Sequence, residues 1–531
     1  MNRLITLIAS GLLAIGAYAQ DLTDLWHHKD LSTDGVPGIS LQQAYDYLDG
    51  RPSRKVVVAI IDSGFEIDHD VFAGALWVNE DEIAGNGIDD DGNGYVDDIN
   101  GWNFIGGADG NVTDETLELT REYRRLQPIY ADASPSNRAE YKYWKEIEAD
   151  FLASSEEARV NAEGFRARYD GVTFQYRLLS GYAQVDTLTA EVLESIDSQD
   201  SVVQAATGYL SRIVAYLGGQ ASLEETTALF EGGLDYYEDQ MNVHYNLDLD
   251  PRGIVGDNIE DLDDRFYGNN QVGETNDGEE IHGTHVAGIV GGQPDAATIG
   301  VTDNVEFMMI RTVPNGDERD KDVANSIRYA VDNGAMVINM SFGKEYSPDQ
   351  EYVREAVKYA ENAGVLMVHA AGNDGKNNDE KLSFPDGSIS DRRKADSWIE
   401  VGASSSSYDE SLPASFSNYG ENSVDLFAPG VQILSSVADN GYESLSGTSM
   451  ASPVVAGVAA LLMSYFPELE ASDIKEILME SVTKIDLEVL QPTEGDEEVR
   501  VPFSSLSRTG GIVNAYEAVK LADQRATIRP R

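Results

Sequence analysis

Short apolar runs that are rich in β-branched residues alternate with amphipathic segments along much of the chain. The clearest runs cover residues 56–61, 336–340 and 365–368. Continuous runs of this kind are typical of parallel strands that are buried on both faces of a sheet. Residues 323–333 and 350–362 have the apolar spacing of helices, and these segments end at Gly334 and Gly364. We therefore predict an α/β fold with a doubly wound, mostly parallel sheet flanked by helices.

Polar residues stand where these strands are expected to end. Asp62 closes the first run, Ser341 follows the second, and Asn373 comes shortly after the third. In a doubly wound sheet, ligands bind in the crevice beyond the carboxyl ends of the strands. We therefore expect these three residues to share one functional site.

Residues 107–254 interrupt the alternation of strand and helix. Apolar residues recur there at helical spacing, as with Trp144, Ile147 and Phe151, and Ser222 with Glu225 has the pattern of a capping box. We predict a large, acidic α-helical insertion. The insertion could act as a lid or as a surface for a partner. Alternatively, it packs on the domain without a direct role in function, and the sequence alone favours this second alternative.

The overall charge narrows the range of partners. The 531 residues include 93 acidic and 38 basic side chains, so the formal net charge is -55. Such a surface repels phosphate backbones and anionic membranes, and nucleic acid is therefore not an expected partner. The chain has no cysteine, which excludes a disulfide framework.

The first nineteen residues have the pattern of a signal peptide. A positive start at Arg3 precedes an apolar run, and residues 17–19 read Ala-Tyr-Ala, a small-x-small cleavage site. The apolar run is short for a membrane span of about 20 residues. We expect an exported protein, periplasmic or extracellular, that is monomeric and has no membrane span after removal of residues 1–19.

Three segments carry candidate chemistry. They read Ile-Ile-Asp-Ser-Gly at 60–64, His-Gly-Thr-His-Val-Ala-Gly at 282–288 and Gly-Thr-Ser-Met-Ala-Ser-Pro at 447–453. In these motifs, and in the order Asp, His, Ser along the chain, the sequence resembles the subtilisin-like serine protease family. The resemblance implies a discontinuous catalytic domain at 51–106 and 255–520. An N-terminal segment at 20–50 and a C-terminal tail at 521–531 would flank it.

The resemblance also implies a role for each of four residues. Ser449 is the expected nucleophile, His282 the general base and then acid, and Asp62 the carboxylate that orients His282. Asn373 is the expected oxyanion donor. These roles describe a secreted serine endopeptidase that acts on a polypeptide substrate through an acyl-enzyme and needs no organic cofactor.

Further residues are expected to bind substrate. They are Ser341, Phe342, Gly343, Ala371 and Gly372. The first three resemble the edge strand that pairs with an extended peptide in this family. Phe384-Pro385 resembles the segment that closes the first specificity pocket, and no charged residue is plainly placed there. An apolar or aromatic side chain before the cleaved bond is therefore expected.

Residues 89–98 follow the first part of a calcium-loop spacing. The expected ligands are Asp89, Asp91, Asn93, Tyr95 through its carbonyl oxygen, Asp97 and Asp98. Asn100 stands at the twelfth position, where an EF-hand has a bidentate glutamate, so EF-hand geometry is not expected. Closely spaced carboxylates repel one another unless a cation lies between them, and we therefore predict structural calcium in place of a solvated acidic turn.

Two rival functions remain open on the sequence alone. An exported ester hydrolase could use the same triad, although the flank of Ser449 lacks the second glycine of the usual nucleophile elbow. A catalytically idle scaffold could bind a partner through the insertion, although the intact set of four residues argues against it. His285 lies one helical turn after His282 and suggests zinc, but no third ligand accompanies the pair, so packing is its expected role.

Overall fold

The structure is a computed structural model that describes residues 25–133, 135–136, 138–273, 280–292, 300–493, 495 and 498–528. The expected signal peptide at 1–19 lies outside the described residues. The described chain forms two compact units, a helical unit of residues 119–249 and a sheet unit on either side of it in the sequence. The insertion predicted at 107–254 is wider than the helical unit, because residues 107–118 and 250–254 belong to the sheet unit.

One nine-stranded sheet organises the sheet unit, and we number its strands in chain order. They are β1 Val56–Asp62, β2 Gly101–Asn103, β3 Val305–Arg311, β4 Val337–Met340, β5 Leu366–Ala370, β6 Trp398–Ser404, β7 Leu426–Pro429, β8 Thr483–Lys484 and β9 Gly511–Ile512. Their spatial order is β8-β9-β7-β6-β5-β4-β1-β3-β2. Neighbouring strands are parallel except for β8 with β9. The predicted mostly parallel sheet is confirmed.

The α-helices are numbered in the same way. They are α1 Leu31–Asp34, α2 Leu41–Leu48, α3 Glu118–Tyr130, α4 Ala139–Ala183, α5 Ala190–Ser195, α6 Ser201–Tyr216, α7 Leu223–Asp239, α8 Glu280–Val290, α9 Asp320–Asp332, α10 Gln350–Ala363, α11 Thr448–Tyr465, α12 Ala471–Glu480 and α13 Ala515–Ile528. Short two-stranded antiparallel pairs join Gly106–Gly107 with Gly110–Asn111, Leu188–Thr189 with Gln220–Ala221, Ser388–Ser390 with Arg393–Lys394, Ile433–Val437 with Gly441–Leu445, and Glu488–Leu490 with Arg500–Pro502.

Helices cover both faces of the sheet, which explains why its central strands are apolar throughout. In β1, Val58 and Ile60 pack in the core that contains α8 and α11. Ala59 and Ile61 pack in the opposite core, which contains α9 and α10. Successive side chains of a strand point to opposite faces, so a strand between two helical layers needs apolar residues at every position.

The expected stops of α9 and α10 are formed. Gly364 caps α10 in the left-handed conformation with φ 78°, and Gly334 follows the end of α9 with φ 85°. The C-terminal tail expected at 521–531 is not a separate segment, because α13 continues to Ile528 and Ala522 is buried. Ordinary core packing accounts for this extension, since Ala522 belongs to the same apolar cluster as α11.

Helix α11 is long and apolar enough, by length and composition, to cross a membrane. In the sheet unit 89% of it is buried. It lies against β4, β5 and β6 and forms the centre of one core.

The helical unit is built from α4 to α7 and most of α3. Trp144, Ile147 and Phe151 are buried along α4, a helix of 45 residues. Tyr123 of α3 stacks on Phe151 with ring centroids 4.0 Å apart. The capping box expected at Ser222 and Glu225 is present at the start of α7.

Candidate active site

Three neighbouring strands end beside one another at the candidate site. Asp62 is the last residue of β1, Ser341 directly follows β4, and Asn373 lies three residues beyond β5. Because β1 pairs with β4 and β4 pairs with β5, all in parallel, their carboxyl ends lie on the same edge of the sheet. The structure thus brings together the polar residues that the sequence places at strand ends.

Asp62 and His282 form a close pair. Asp62 Oδ1 lies 2.6 Å from His282 Nδ1 and also accepts a hydrogen bond of 2.8 Å from the Ser63 N–H. Asp62 is 1% exposed, while the His282 side chain is 39% exposed. A carboxylate can only accept, so the pair keeps the proton on Nδ1 and leaves Nε2 as the basic nitrogen.

Gly283 explains how His282 comes so near to Asp62. A Cβ on Gly283 would lie 2.2 Å from the Gly64 carbonyl oxygen, which is far closer than any side chain tolerates. The absent side chain lets the first turn of α8 rest directly on the loop that follows β1. His282 is the residue before this contact and is held there by it.

Ser449 lies in the first turn of α11, directly after Thr448. Pro453, four residues further on, has no N–H, so the carbonyl oxygen of Ser449 lacks its usual helical partner. Ser341 supplies a partner, because its hydroxyl donates to the Ser449 carbonyl oxygen at 2.9 Å. Asn339 Nδ2 donates to the same Ser341 hydroxyl at 3.0 Å. The Ser341 side chain thereby supports the helix that carries Ser449.

The Ser449 hydroxyl donates to the Ser341 carbonyl oxygen at 3.1 Å. Transfer of its proton to His282 therefore requires the hydroxyl to leave this bond. Catalytic hydrogen bonds are often long or poorly aligned before substrate binds, so the arrangement is compatible with such a transfer.

Asn373 is oriented by the first residue of α11. Its Oδ1 accepts from both the N–H and the hydroxyl of Thr448, at 2.8 and 3.0 Å. This assignment leaves the Nδ2–H₂ group free to face the space in front of α11. A Cβ built on Gly447 would lie 3.6 Å from Asn373 Nδ2 and equally 3.6 Å from Ser449 N. Two N–H donors therefore flank one space that is open because Gly447 has no side chain.

The segments expected to bind substrate flank Ser449 on either side. Ser341, Phe342 and Gly343 lie outside the sheet, since pairing of β4 ends at Met340 and an isolated bridge joins Lys344 to Phe384. On the other side, Gly372 N–H donates to the Thr448 hydroxyl at 3.1 Å. The side-chain amides of Asn378 and Asn418 donate to the Ala371 carbonyl oxygen, at 2.8 and 3.0 Å.

A buried polar pair behind Gly343 was missed by the sequence reasoning. His369 Nδ1 lies 2.9 Å from Glu400 Oε1, and Trp398 Nε1 donates to Glu400 Oε2 at 2.9 Å. A Cβ on Gly343 would lie 3.7 Å from His369 Cε1. Both residues sit within apolar strands, and only the fold brings them together, which is why neither was noticed.

His285 has the packing role expected of it. Burial lowers the pKa of His285 to about 3, so the imidazole is neutral. Its Nε2 lies 3.0 Å from the Glu443 carbonyl oxygen. Among the described residues, no group of metal-ligating side chains includes His285.

The acidic loop is arranged differently from the expected ligand set. Asp89 accepts three backbone N–H groups, from Gly92, Asn93 and Gly94, and Asp97 accepts those of Asn86 and Gly87. These two carboxylates hold the loop together. The Tyr95 ring packs against buried aromatic residues.

Asp91 and Asp98 instead meet Glu82, which the loop spacing did not reveal. Each of the three offers an oxygen, and these atoms lie within 4.8 Å of one another. Asn93 Nδ2 donates to Asp91 and Asp98, at 3.0 and 3.2 Å. Burial raises the pKa of Asp98 to about 6. Among the described residues, this is the group of carboxylates arranged for a hard cation.

Asp62 with His282, and Ser449 with two adjacent N–H donors, are the groups that acyl transfer by a serine requires. A model of the subtilase family matches residues 53–501. The chain belongs to the subtilase family.

Similar proteins include several serine proteases. A thermophilic serine proteinase from Bacillus sp. (strain AK1) is 39% identical over 249 residues, which cover 46% of this chain and 53% of that protein. Subtilisin DY from Bacillus licheniformis is 37% identical over 207 residues, 38% of this chain and 71% of that protein. The halolysin-like extracellular serine protease Nep from Natrialba magadii is 37% identical over 212 residues, 39% of this chain and 36% of that protein. The match thus spans about half the length of the first of these relatives.

Proposed function

We propose that this protein is a serine endopeptidase that cleaves polypeptides through an acyl-enzyme on Ser449. The observation that carries the proposal is the pair of N–H donors, Ser449 N and Asn373 Nδ2, each 3.6 Å from the one space that a side chain on Gly447 would fill. The Asp62–His282 pair, at 2.6 Å, supplies the base. Membership of the subtilase family and the similarity to serine proteases support the same function.

The proposed reaction follows from these positions. The Ser449 hydroxyl attacks the carbonyl carbon of the peptide bond while His282 Nε2 takes its proton. The oxygen that becomes negative accepts hydrogen bonds from Ser449 N–H and Asn373 Nδ2. His282 then gives its proton to the departing amine. Water, activated by the same imidazole, releases the acyl group, and Asp62 stabilises the imidazolium at each stage.

Helix α11 contributes to the same stabilisation. Its N-terminus carries partial positive charge, and Ser449 lies in its first turn. A negative oxygen at this end is therefore favoured by the helix as well as by the two individual donors. Positive side chains are not needed for this purpose.

Export is part of the proposal. The pattern of a signal peptide at residues 1–19 supports it, and one relative is named as extracellular. The substrate would then be a polypeptide outside the cytoplasm. The open edge at Ser341 to Gly343 suits an extended chain, which could add as a strand.

We also propose that Glu82, Asp91 and Asp98 hold a structural calcium ion. Two of these carboxylates are largely buried, with Glu82 8% and Asp98 0% exposed. Buried carboxylates that share one space are strongly stabilised by a cation between them. The ion would fix the loop of residues 82–98 and would take no part in the reaction.

An active-site label and two substrates test the proposal. A fluorophosphonate should modify Ser449, and a peptide and a simple ester should both be hydrolysed, with the peptide preferred. The Ser449→Ala variant should remain folded and lose both the label and the turnover. Ester hydrolysis without peptide cleavage would favour an esterase, and absence of both label and turnover in the parent would leave only the scaffold role.

A further inference from the structure

Residues 341–343, which we call the substrate-binding edge, are directly followed by Lys344. The ammonium group of Lys344 is buried and has no role in the proposed mechanism. Its side chain is 1% exposed. Nζ donates to Glu118 Oε2 at 2.8 Å and to the Glu318 carbonyl oxygen at 2.8 Å, and it lies 2.9 Å from Asp320 Oδ1. We call Lys344, Glu118, Glu318 and Asp320 the Lys344 cluster.

The main chain of Lys344 is also fixed. Its N–H donates to the Phe384 carbonyl oxygen at 3.0 Å, and the Phe384 N–H donates back to the Lys344 carbonyl oxygen at 2.9 Å. Lys344 therefore joins the edge to the Phe384 segment through its backbone. Through its side chain it joins the edge to the start of α9 and the start of α3.

Glu118 reaches the cluster because residues 114–118 run beside residues 315–318. Asp114 forms a parallel bridge with Asn315, and the Glu118 N–H donates to Asp317 Oδ2 at 2.8 Å. Glu118 is the first residue of α3, the helix along which the chain leaves the sheet unit. Glu118, the residue at which the chain enters the helical insertion, thus helps to hold the substrate-binding edge.

Gly343 makes this support important. It is flanked by Phe342, which is only partly buried, and has no side chain of its own to restrict its backbone. The conformation of the edge must therefore be set by its neighbours. A buried ammonium with three short contacts is held in one place, because any shift would leave desolvated charges unpaired.

We propose that Lys344 is a positioning residue for the substrate-binding edge. Glu118, which stands where the chain enters the helical insertion, holds the Lys344 side chain in place. The inference rests on the proposed endopeptidase function. Substrates that extend along Ser341 to Gly343 need the edge in place. A small substrate that reaches only Ser449, His282 and Asn373 does not.

A cluster that merely stabilised the fold would behave differently. Its loss would lower the melting temperature and reduce the turnover of all substrates alike. A positioning role instead changes the ratio between an extended peptide and a small ester. This ratio is independent of how much of the protein is folded.

The test variant is Glu118→Gln, which keeps the shape of the side chain and removes its charge. For a peptide with several residues on the amino side of the cleaved bond, we expect KM to rise and kcat/KM to fall about 10-fold, the effect of weakening one hydrogen bond to a charged group. For a single-residue ester, kcat/KM should stay within about twofold. Glu118→Asp keeps the charge on a shorter stem, should give a smaller loss, and serves if the glutamine variant does not fold.

A matched control lies in a second buried cluster. Asp257 pairs with Arg252 and with Lys321 of α9, each at 2.7 Å, and it is not one of the acidic partners of Lys344, which are Glu118 and Asp320. Asp257→Asn should lower the melting temperature and leave the ratio of peptide to ester hydrolysis unchanged. An equal effect of Glu118→Gln on both substrates, or no effect on either, would overturn the inference. Failure of the parent protein to cleave any peptide would instead refute the proposed function.

Discussion

Gly447 offers a direct test of the oxyanion site. The position of its absent Cβ is 3.6 Å from Asn373 Nδ2, 3.6 Å from Ser449 N and 3.7 Å from Met450 Sδ. These are ordinary contact distances, and the φ of 166° is extended backbone that alanine adopts readily. Gly447→Ala should therefore be tolerated by the substrate-free protein. Gly447 is buried, but no atom lies closer than 3.6 Å to the added methyl group, so the melting temperature should change little.

The reaction should be affected far more than the fold. The added methyl group stands at the same distance from both donors, in the space that the negative oxygen needs. Loss of one oxyanion donor lowers kcat by about 10²–10³, or about 2.7–4 kcal/mol, a magnitude that comes from subtilisin. Because the methyl group obstructs both donors, we expect a loss in kcat of at least this order.

The assay is steady-state hydrolysis of a peptide together with thermal unfolding. KM should change little, because the ground-state carbonyl does not depend on the two donors as strongly as the tetrahedral state does. Gly253→Ala is the control, since no atom lies within 4 Å of its added Cβ. Its activity should equal that of the parent.

Retention of more than a tenth of the parent kcat by a folded Gly447→Ala protein would refute the assignment of this space to the oxyanion. Asn373 and the Ser449 N–H would then need another role. A drop in melting temperature in parallel with activity would show that the contact distances around Gly447 are less tolerant than the structure indicates.

Three further predictions follow from the site and its surroundings. Asp62→Asn should lower kcat by about 10⁴ with little change in melting temperature, because an amide does not hold the required His282 tautomer; a loss below tenfold would contradict this. A chelator should lower the melting temperature, since calcium at 100 times its Kd adds about 2.7 kcal/mol to the free energy of unfolding. The Glu82→Gln variant should lose this shift, and the control variant Glu80→Gln, at an exposed position, should keep it. Equal shifts in the two variants would place the ion elsewhere. His285 has its pKa lowered from 6.5 to about 3, so its contribution to stability is complete above pH 6.5 and is lost as the pH falls. Between pH 6.5 and 4.5 the loss is about 2 kcal/mol, and His285→Gln should remove this part of the acid dependence in urea titrations; an unchanged dependence on pH would contradict the role of His285.

The apolar pattern predicted the centre of the fold better than its margins. Strands β1, β4 and β5 are continuous apolar runs, and their bounds match the expected ones within two residues. Strand β3 was not noticed although it lies beside β1. It ends in Arg311, which is 0% exposed and donates from Nε to the Ser63 carbonyl oxygen at 2.7 Å. Because the Arg311 guanidinium finds its hydrogen-bond partners only in the folded protein, a charged residue at this position makes a buried strand hard to recognise from the sequence.

The short outer strands could not have been predicted. Strands β8 and β9 have two residues each, which is too few for any periodicity. They exist because neighbouring strands and helices bring their backbones together. The local sequence of one segment does not predict which distant segment its backbone will pair with.

The candidate site divides in the same way. Asp62, His282, Ser449 and Asn373 stand in motifs whose local sequence indicates their proposed chemistry, so the sequence alone suggests them. Glu82 and Lys344 stand in ordinary sequence and acquire partners only through the fold. For Lys344 the separation from Glu118 is 226 residues. Local spacing reveals residues that share a loop, and it cannot reveal residues that meet from distant parts of the chain.

The net charge of -55 raises a question about catalysis, because the reaction itself creates negative charge. Distance decides the answer. In the proposed reaction the groups at Ser449 and Asn373 are dipoles in direct contact with the oxyanion, whereas a surface carboxylate farther away than the screening length of about 8 Å at physiological ionic strength acts on it only weakly. The surface charge should therefore act on association and leave kcat alone. Added salt should lower kcat/KM for cationic peptides, raise it for anionic ones and not change kcat for either, and a kcat that follows salt for both would show that surface carboxylates reach the reacting atoms.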